Sequence, residues 1–233
     1  MPPQLIFTPT FDNYKEIFLY SPEFLKNLQN GVVVALSSTF IGLLIATPAA
    51  YVLGRLKFPR QESVAYGILW SSMIPTMGIA LPFFVMFSYA GLLNTVIPLT
   101  LSYTVVRLPF IVWLIRGFIM DLPRELEEAA YIDRCSWSQM MTKVLLPILA
   151  PSLAAVVIIN FILCWNEFLL AIILTGPESR TATVGLFNFI GRETFRWGPL
   201  TAYAMVITAP VVIFSFIVQR YIVKGLTLGA VKA

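Results

Sequence analysis

The chain has 233 residues, of which 58% are hydrophobic and only 12% charged, and its mean hydropathy is +0.81. Charge-free runs at 27–54, 63–106, 144–166 and 197–219 are each long enough to cross a bilayer, which takes about 20 apolar residues per helix. That excludes a soluble domain, and the absence of histidine excludes His-based triads, His general bases and the usual zinc sites.

The first 28 residues carry Lys15, Lys26 and several aromatics and read as a polar segment outside the membrane. No signal peptide is visible, because MPPQLIFTPTFDNYKEIF lacks a basic start and a long apolar stretch. The first span is expected near 29–53. The 44 uncharged residues from Ser63 to Val106 must hold more than one crossing, and Ala90-Gly91-Leu92-Leu93-Asn94-Thr95 supplies turn chemistry in their middle. Spans are therefore expected near 64–89 and 95–118, with bends at Pro75 and Pro82 and, beside the charged Arg107, at Pro109. Two more spans are expected near 146–174 and 199–222, leaving 224–233 as a tail. Cys135 then falls in a loop and Cys164 inside a span, so a disulfide framework is not expected.

Lys and Arg set the orientation. Ten of them (55, 57, 60, 116, 124, 134, 143, 220, 224 and 232) fall on one side and five (15, 26, 180, 192 and 196) on the other. The basic side is expected to be cytoplasmic. The net charge of +4 thus follows membrane topology and gives no reason to invoke nucleic acid. The C-terminus is placed inside and residues 1–28 outside, and the simplest account of an external start is one further span upstream.

Seven of the 28 charged side chains crowd into Asp121–Arg134. Pro123 suits a first helical turn, with Leu126, Ala129 and Ala130 following at helical spacing. A helix continued to Val144 would bring Asp133 into its apolar stripe, so a break is expected at Asp133 and Arg134. Ser136-Trp137-Ser138-Gln139 fits a capping box for a second helix. Glu127 and Glu128 offer anchoring charges to a partner, Ala129 and Ala130 allow close approach, and Trp137 and Met141 are expected to pack beneath the loop. The alternative is a solvated loop whose charges only keep it out of lipid. Within the membrane, Arg107 and Glu167 are the clear ionisable residues. Trp165, Asn166 and Glu167 read either as pathway residues, with Trp165 stacking on a sugar ring, or as helix packing and gate structure.

Glu128-Ala129-Ala130, three residues to position 134, and nine more to Val144-Leu145-Leu146-Pro147 resemble the EAA loop of ABC importer permeases. Asn13-Tyr14-Lys15, Trp165-Asn166-Glu167-Phe168 and Lys224-Gly225-Leu226-Thr227-Leu228-Gly229-Ala230-Val231-Lys232 resemble its sugar-importer branch, the maltose and glycerol-phosphate type. The resemblance implies an all-α, type I ABC importer fold with no bond-breaking chemistry, no catalytic residue and no metal site of its own. Arg134 departs from the family's glycine, and about five spans are present where relatives usually have one more at the start. ATP and magnesium would be held by a pair of partner ATPase subunits, since no G-x-x-x-x-G-K-[ST] loop occurs here. A second homologous permease subunit and an extracytoplasmic solute-binding protein would complete the assembly in a bacterial or archaeal cytoplasmic membrane. In the coupling loop, Glu128 would contact the ATPase, Asp133 would cap or brace the turn, and Pro147 would mark entry into the span. The alternatives are a permease for a non-sugar solute such as glycerol 3-phosphate, a secondary transporter, or a non-transporting truncated membrane protein.

Overall fold

The computed structural model describes residues 10–189 and 196–229, with side chains described as far as 217. Every described element is a helix. A short helix, α1 (Asp12–Tyr20), precedes the long α2 (Glu23–Arg55), which stops at Leu56, three residues before Pro59. The segment expected to form the second crossing is divided: α3 (Gln61–Ser71) and α4 (Thr76–Tyr89) meet at 79° across Ser72–Pro75. Pro75 lies at the start of α4, while Pro82 is accommodated inside it. The turn expected at 90–95 is present, with Gly91 (φ +66°) and Asn94 (φ +65°) both left-handed, and it leads into α5 (Ile97–Asp121).

The loop from 121 onward folds into α6 (Glu125–Ile132) and α7 (Trp137–Gln139). From α7 the chain passes through a π-turn, Met140–Leu145, into α8 (Leu146–Trp165) as one 29-residue apolar rod. The π-turn sits immediately before Pro147, whose ring nitrogen cannot donate to the preceding turn, and a widened turn absorbs that loss. The fourth span ends at Trp165 and not at 174. Asn166 and Glu167 interrupt it, and Leu169–Leu174 forms a separate short helix, α9. A small helix α10 (Ala182–Gly185) and a 3-10 turn lead toward α11 (Trp197–Gly229), which continues helical through the start of the expected tail.

Helix α2 is the hub. Its buried face carries Gly31, Ala35, Ser38, Gly42, Ala46 and Ala50, a stripe of small residues that lets α5 and α8 approach closely. A Cβ at Gly42 would stand 2.9 Å from Ile111 Cδ1, and one at Gly31 would stand 3.1 Å from the Trp165 ring. By contrast α11 lies at the periphery: 11% of its apolar window is buried, against 39–44% for the other three long helices.

The basic and opposite ends close differently. At the basic end the core is built from Tyr51, Leu53, Ile119, Ala130, Met140, Met141 and Leu145. At the opposite end Ile17 of α1 packs with Phe24, Phe189 and Tyr203. There Asn30 Nδ2 donates 3.0 Å bonds to the carbonyls of Glu178 and Arg180, and Lys26 pairs with Glu178, so the segment before α10 is strapped to α2.

Candidate coupling site

The break at Asp133 and Arg134 has a definite geometry. The Cys135 N–H donates to Ala130 O and the Arg134 N–H to Tyr131 O, both at 3.0 Å, with Arg134 at φ +54°. This is a Schellman ending, in which the left-handed position is usually glycine. The same pair of bonds closes α4, where the left-handed residue is Gly91. Two residues after Arg134 the capping box closes as the sequence predicts: Ser136 Oγ accepts from Gln139 N at 3.3 Å, and Gln139 Oε1 accepts from Ser136 N at 2.8 Å. The Asp133 carboxylate makes no hydrogen bond among the described residues; Asp133 terminates α6 through its backbone N–H, which donates to Ala129 O.

Glu128 and Ala129 face outward, joined by Tyr131 and by Ile132, which is 82% exposed. Three sequence expectations are corrected here. Glu127 is not an anchoring charge on the surface, because it is buried against α2. Ala130 joins the protein's own core and leaves only Ala129 open to close approach from outside. Trp137 is half exposed, touching the loop's underside only edge-on at Tyr51, whereas Met141 is buried as expected.

Around Glu127 stands a group of residues that sequence reasoning did not single out. Arg55 Nε lies 2.6 Å from Glu127 Oε1, at an angle poor for a hydrogen bond, so the attraction is mainly that of two opposite charges. Tyr51 Oη donates to Glu127 Oε2 at 3.1 Å, and Arg55 Nη2 donates to Leu122 O at 2.7 Å. Nearby, Arg116 Nε donates to Leu53 O at 3.0 Å and its guanidinium pairs with Glu62. These arginines meet helix-end carbonyls that have no partner within their own helix. Counted by side of the membrane, Arg55 and Arg116 register only as topology charges, and nothing local in sequence links Arg55 to Glu127.

The membrane interior also departs from expectation. Trp165 is 3% exposed, stacked on Phe161, with Nε1 donating to Ile207 O at 3.0 Å. It is a packing residue between α8 and α11, and no face of it is free for a sugar ring. Glu167 receives Tyr103 Oη at 2.8 Å and the backbone N–H of Leu170 at 3.1 Å, so its carboxylate caps the start of α9. Asn166 is exposed and bonds back to Ile162 O at 3.0 Å. Arg107 is half-buried on α5, one turn from Tyr103, and forms no ion pair among the described residues.

An all-helical bundle of four or five crossings, with a paired-helix loop standing from its basic end, describes a class of membrane transport subunit. Residues 26–228 match the family described as the binding-protein-dependent transport system inner membrane component, and the chain belongs to that family. A probable ABC transporter permease protein, y4oR, of Sinorhizobium fredii is 36% identical over 100% of this chain and 83% of its own length. The trehalose transport system permease protein SugB of Mycobacterium tuberculosis is 37% identical over 97% of this chain and 83% of its own. Among solved structures, a chain of a bacterial ABC transporter involved in the import of the polysaccharide alginate superposes with TM-score 0.79 at 22% identity, covering 94% of this chain and 83% of that one. The fold is that of an ABC importer membrane subunit.

Proposed function

We propose that this chain forms half of the translocation pathway of an ATP-driven sugar importer, and that α6, its turn and α7 seat in a cleft of a partner ATPase. The observation that carries the reading is the two-helix loop at the basic end, which presents Glu128, Ala129, Tyr131 and Ile132 outward on a helix ended by a fixed turn. Glu128 supplies a charge-assisted contact, and the exposed Tyr131 and Ile132 supply apolar surface. The basic end faces the cytoplasm. ATP and magnesium are held by a pair of ATPase subunits, whose closure moves the spans as bodies and opens the pathway to an external solute-binding protein. A second, homologous permease subunit completes the pathway.

The carbohydrate assignment draws on relatives named for trehalose, for trehalose and maltose, and for alpha-glucoside transport, each at least 32% identical over 96% or more of this chain. The test is co-purification of the ATPase with the Glu128→Lys variant expressed beside its partner subunits. The expected result is at least a tenfold loss of ATPase recovery with the variant's gel-filtration profile unchanged. Undiminished recovery overturns the docking role.

A further inference from the structure

Helix α6 buries only two side chains, Glu127 and Ala130. Its inward apolar surface is Ala130 and a half-buried Leu126, little with which to fix the angle at which a helix leaves the bundle. Glu127 supplies a polar tie in its place, with Arg55 Nε 2.6 Å from one carboxylate oxygen and Tyr51 Oη 3.1 Å from the other. Arg55 is itself held by Leu122 O at the end of α5, and Arg116 ties that same helix to Leu53 O of α2 and to Glu62 of α3. The tie is thus continuous from α6 through α2 and α5 to α3.

We propose that Glu127, Arg55 and Tyr51 are positioning residues that make α6 and the cytoplasmic ends of α2 and α5 move as one body, so that displacement of the loop is delivered to the spans. The proposal rests on the coupling-loop reading above. Opposite charges brought together out of water hold one geometry, and removal of either partner strands the other, so the tie fails abruptly when one side is neutralised. An apolar contact of the same size would slide.

The test uses the assembled importer in proteoliposomes, with trehalose as the solute probe. It compares the natural chain, Glu127→Gln, and the exchange Arg55→Glu with Glu127→Arg. Trehalose taken up per ATP hydrolysed and ATPase recovery are read together, and hydrogen exchange at the α6 amides is followed in the purified chain without ATPase. The expected result for Glu127→Gln is ATPase recovery within twofold of the natural chain, at least a tenfold fall in uptake per ATP, and at least a tenfold faster exchange in α6. The exchanged pair is expected to regain at least a third of the coupling and most of the protection. Unchanged coupling or unchanged exchange in Glu127→Gln overturns the proposal, as does an exchanged pair that regains nothing. Loss of ATPase recovery in Glu127→Gln also overturns it, because that places Glu127 at the docking contact. Failure of the coupling-loop reading looks different: Glu128→Lys then keeps its ATPase, and the exchange measurement still decides whether the tie holds α6.

Discussion

Arg134 and Gly91 occupy equivalent places in two Schellman endings, and only one of them is glycine. A side chain in the left-handed region costs on the order of 1–2 kcal/mol, and no heavy atom lies within 4 Å of a Cβ built at Gly91, so conformation alone decides there. Gly91→Ala is therefore expected to lower stability by about 1 kcal/mol and Arg134→Gly to be neutral or slightly stabilising, read as thermal midpoints of the detergent-solubilised chain. A second pair, Tyr103 and Glu167, joins α5 to the start of α9 through a side-chain hydrogen bond. Tyr103→Phe removes the 2.8 Å bond to Glu167, and a hydrogen bond to a charged group is worth roughly 1.5–3 kcal/mol. Its thermal midpoint should fall accordingly. The break at Asp133 and Arg134 was legible from the helical spacing, which would otherwise have put Asp133 in the apolar stripe. The inward turn of Glu127 was not, because its partner Arg55 lies 72 positions earlier and no periodicity connects them.

Elements were legible to the extent that hydropathy reports them. Apolar length located the spans, and Ser136 with Gln139 marked the start of the second loop helix. Hydropathy does not report continuity, so Leu169–Leu174 read as a continuation of α8 although Asn166 and Glu167 divide them. The small-residue stripe of α2 likewise becomes visible only once its neighbours are known. Gly42→Leu is expected to destabilise by about 1–3 kcal/mol, because added atoms must enter the space held by Ile111. Gly117→Ala meets nothing within 4 Å and is expected to be neutral or to stabilise by up to about 1 kcal/mol. Thermal unfolding of the two variants side by side measures the difference; equal effects would mean that close packing on α2 is not what holds α5.

For the whole molecule, the distribution of charge and the placement of the paired-helix loop agree on one end, the basic one. Its orientation is open to direct measurement with Cys135→Ser and Cys164→Ala in place and Ser138→Cys added on the exposed face of the loop. A membrane-impermeant maleimide is expected to label this chain in inverted vesicles at least tenfold more than in intact cells, and the reverse ratio would turn the topology over. The periphery tells a complementary story. Met205, Ile213 and Phe216 on α11 and Phe40 and Leu44 on α2 are all more than half exposed. Such apolar faces suit contact with lipid or with another apolar protein surface rather than with water.

The break between α3 and α4 imposes a condition on its surroundings. These helices are roughly 16 and 21 Å long at 1.5 Å per residue, each shorter than a hydrocarbon core of about 30 Å, so a crossing built from the pair has its break between the two surfaces. Residues 71–75 are exposed, and the hydroxyls of Ser71 and Ser72 are turned back onto Ile68 O and Leu69 O of their own helix. Hydrocarbon does not solvate an interrupted backbone. Where the pair crosses as one span, the corner at Ser72–Pro75 calls for water or another polypeptide in place of hydrocarbon, a local gap in the insulating layer of lipid.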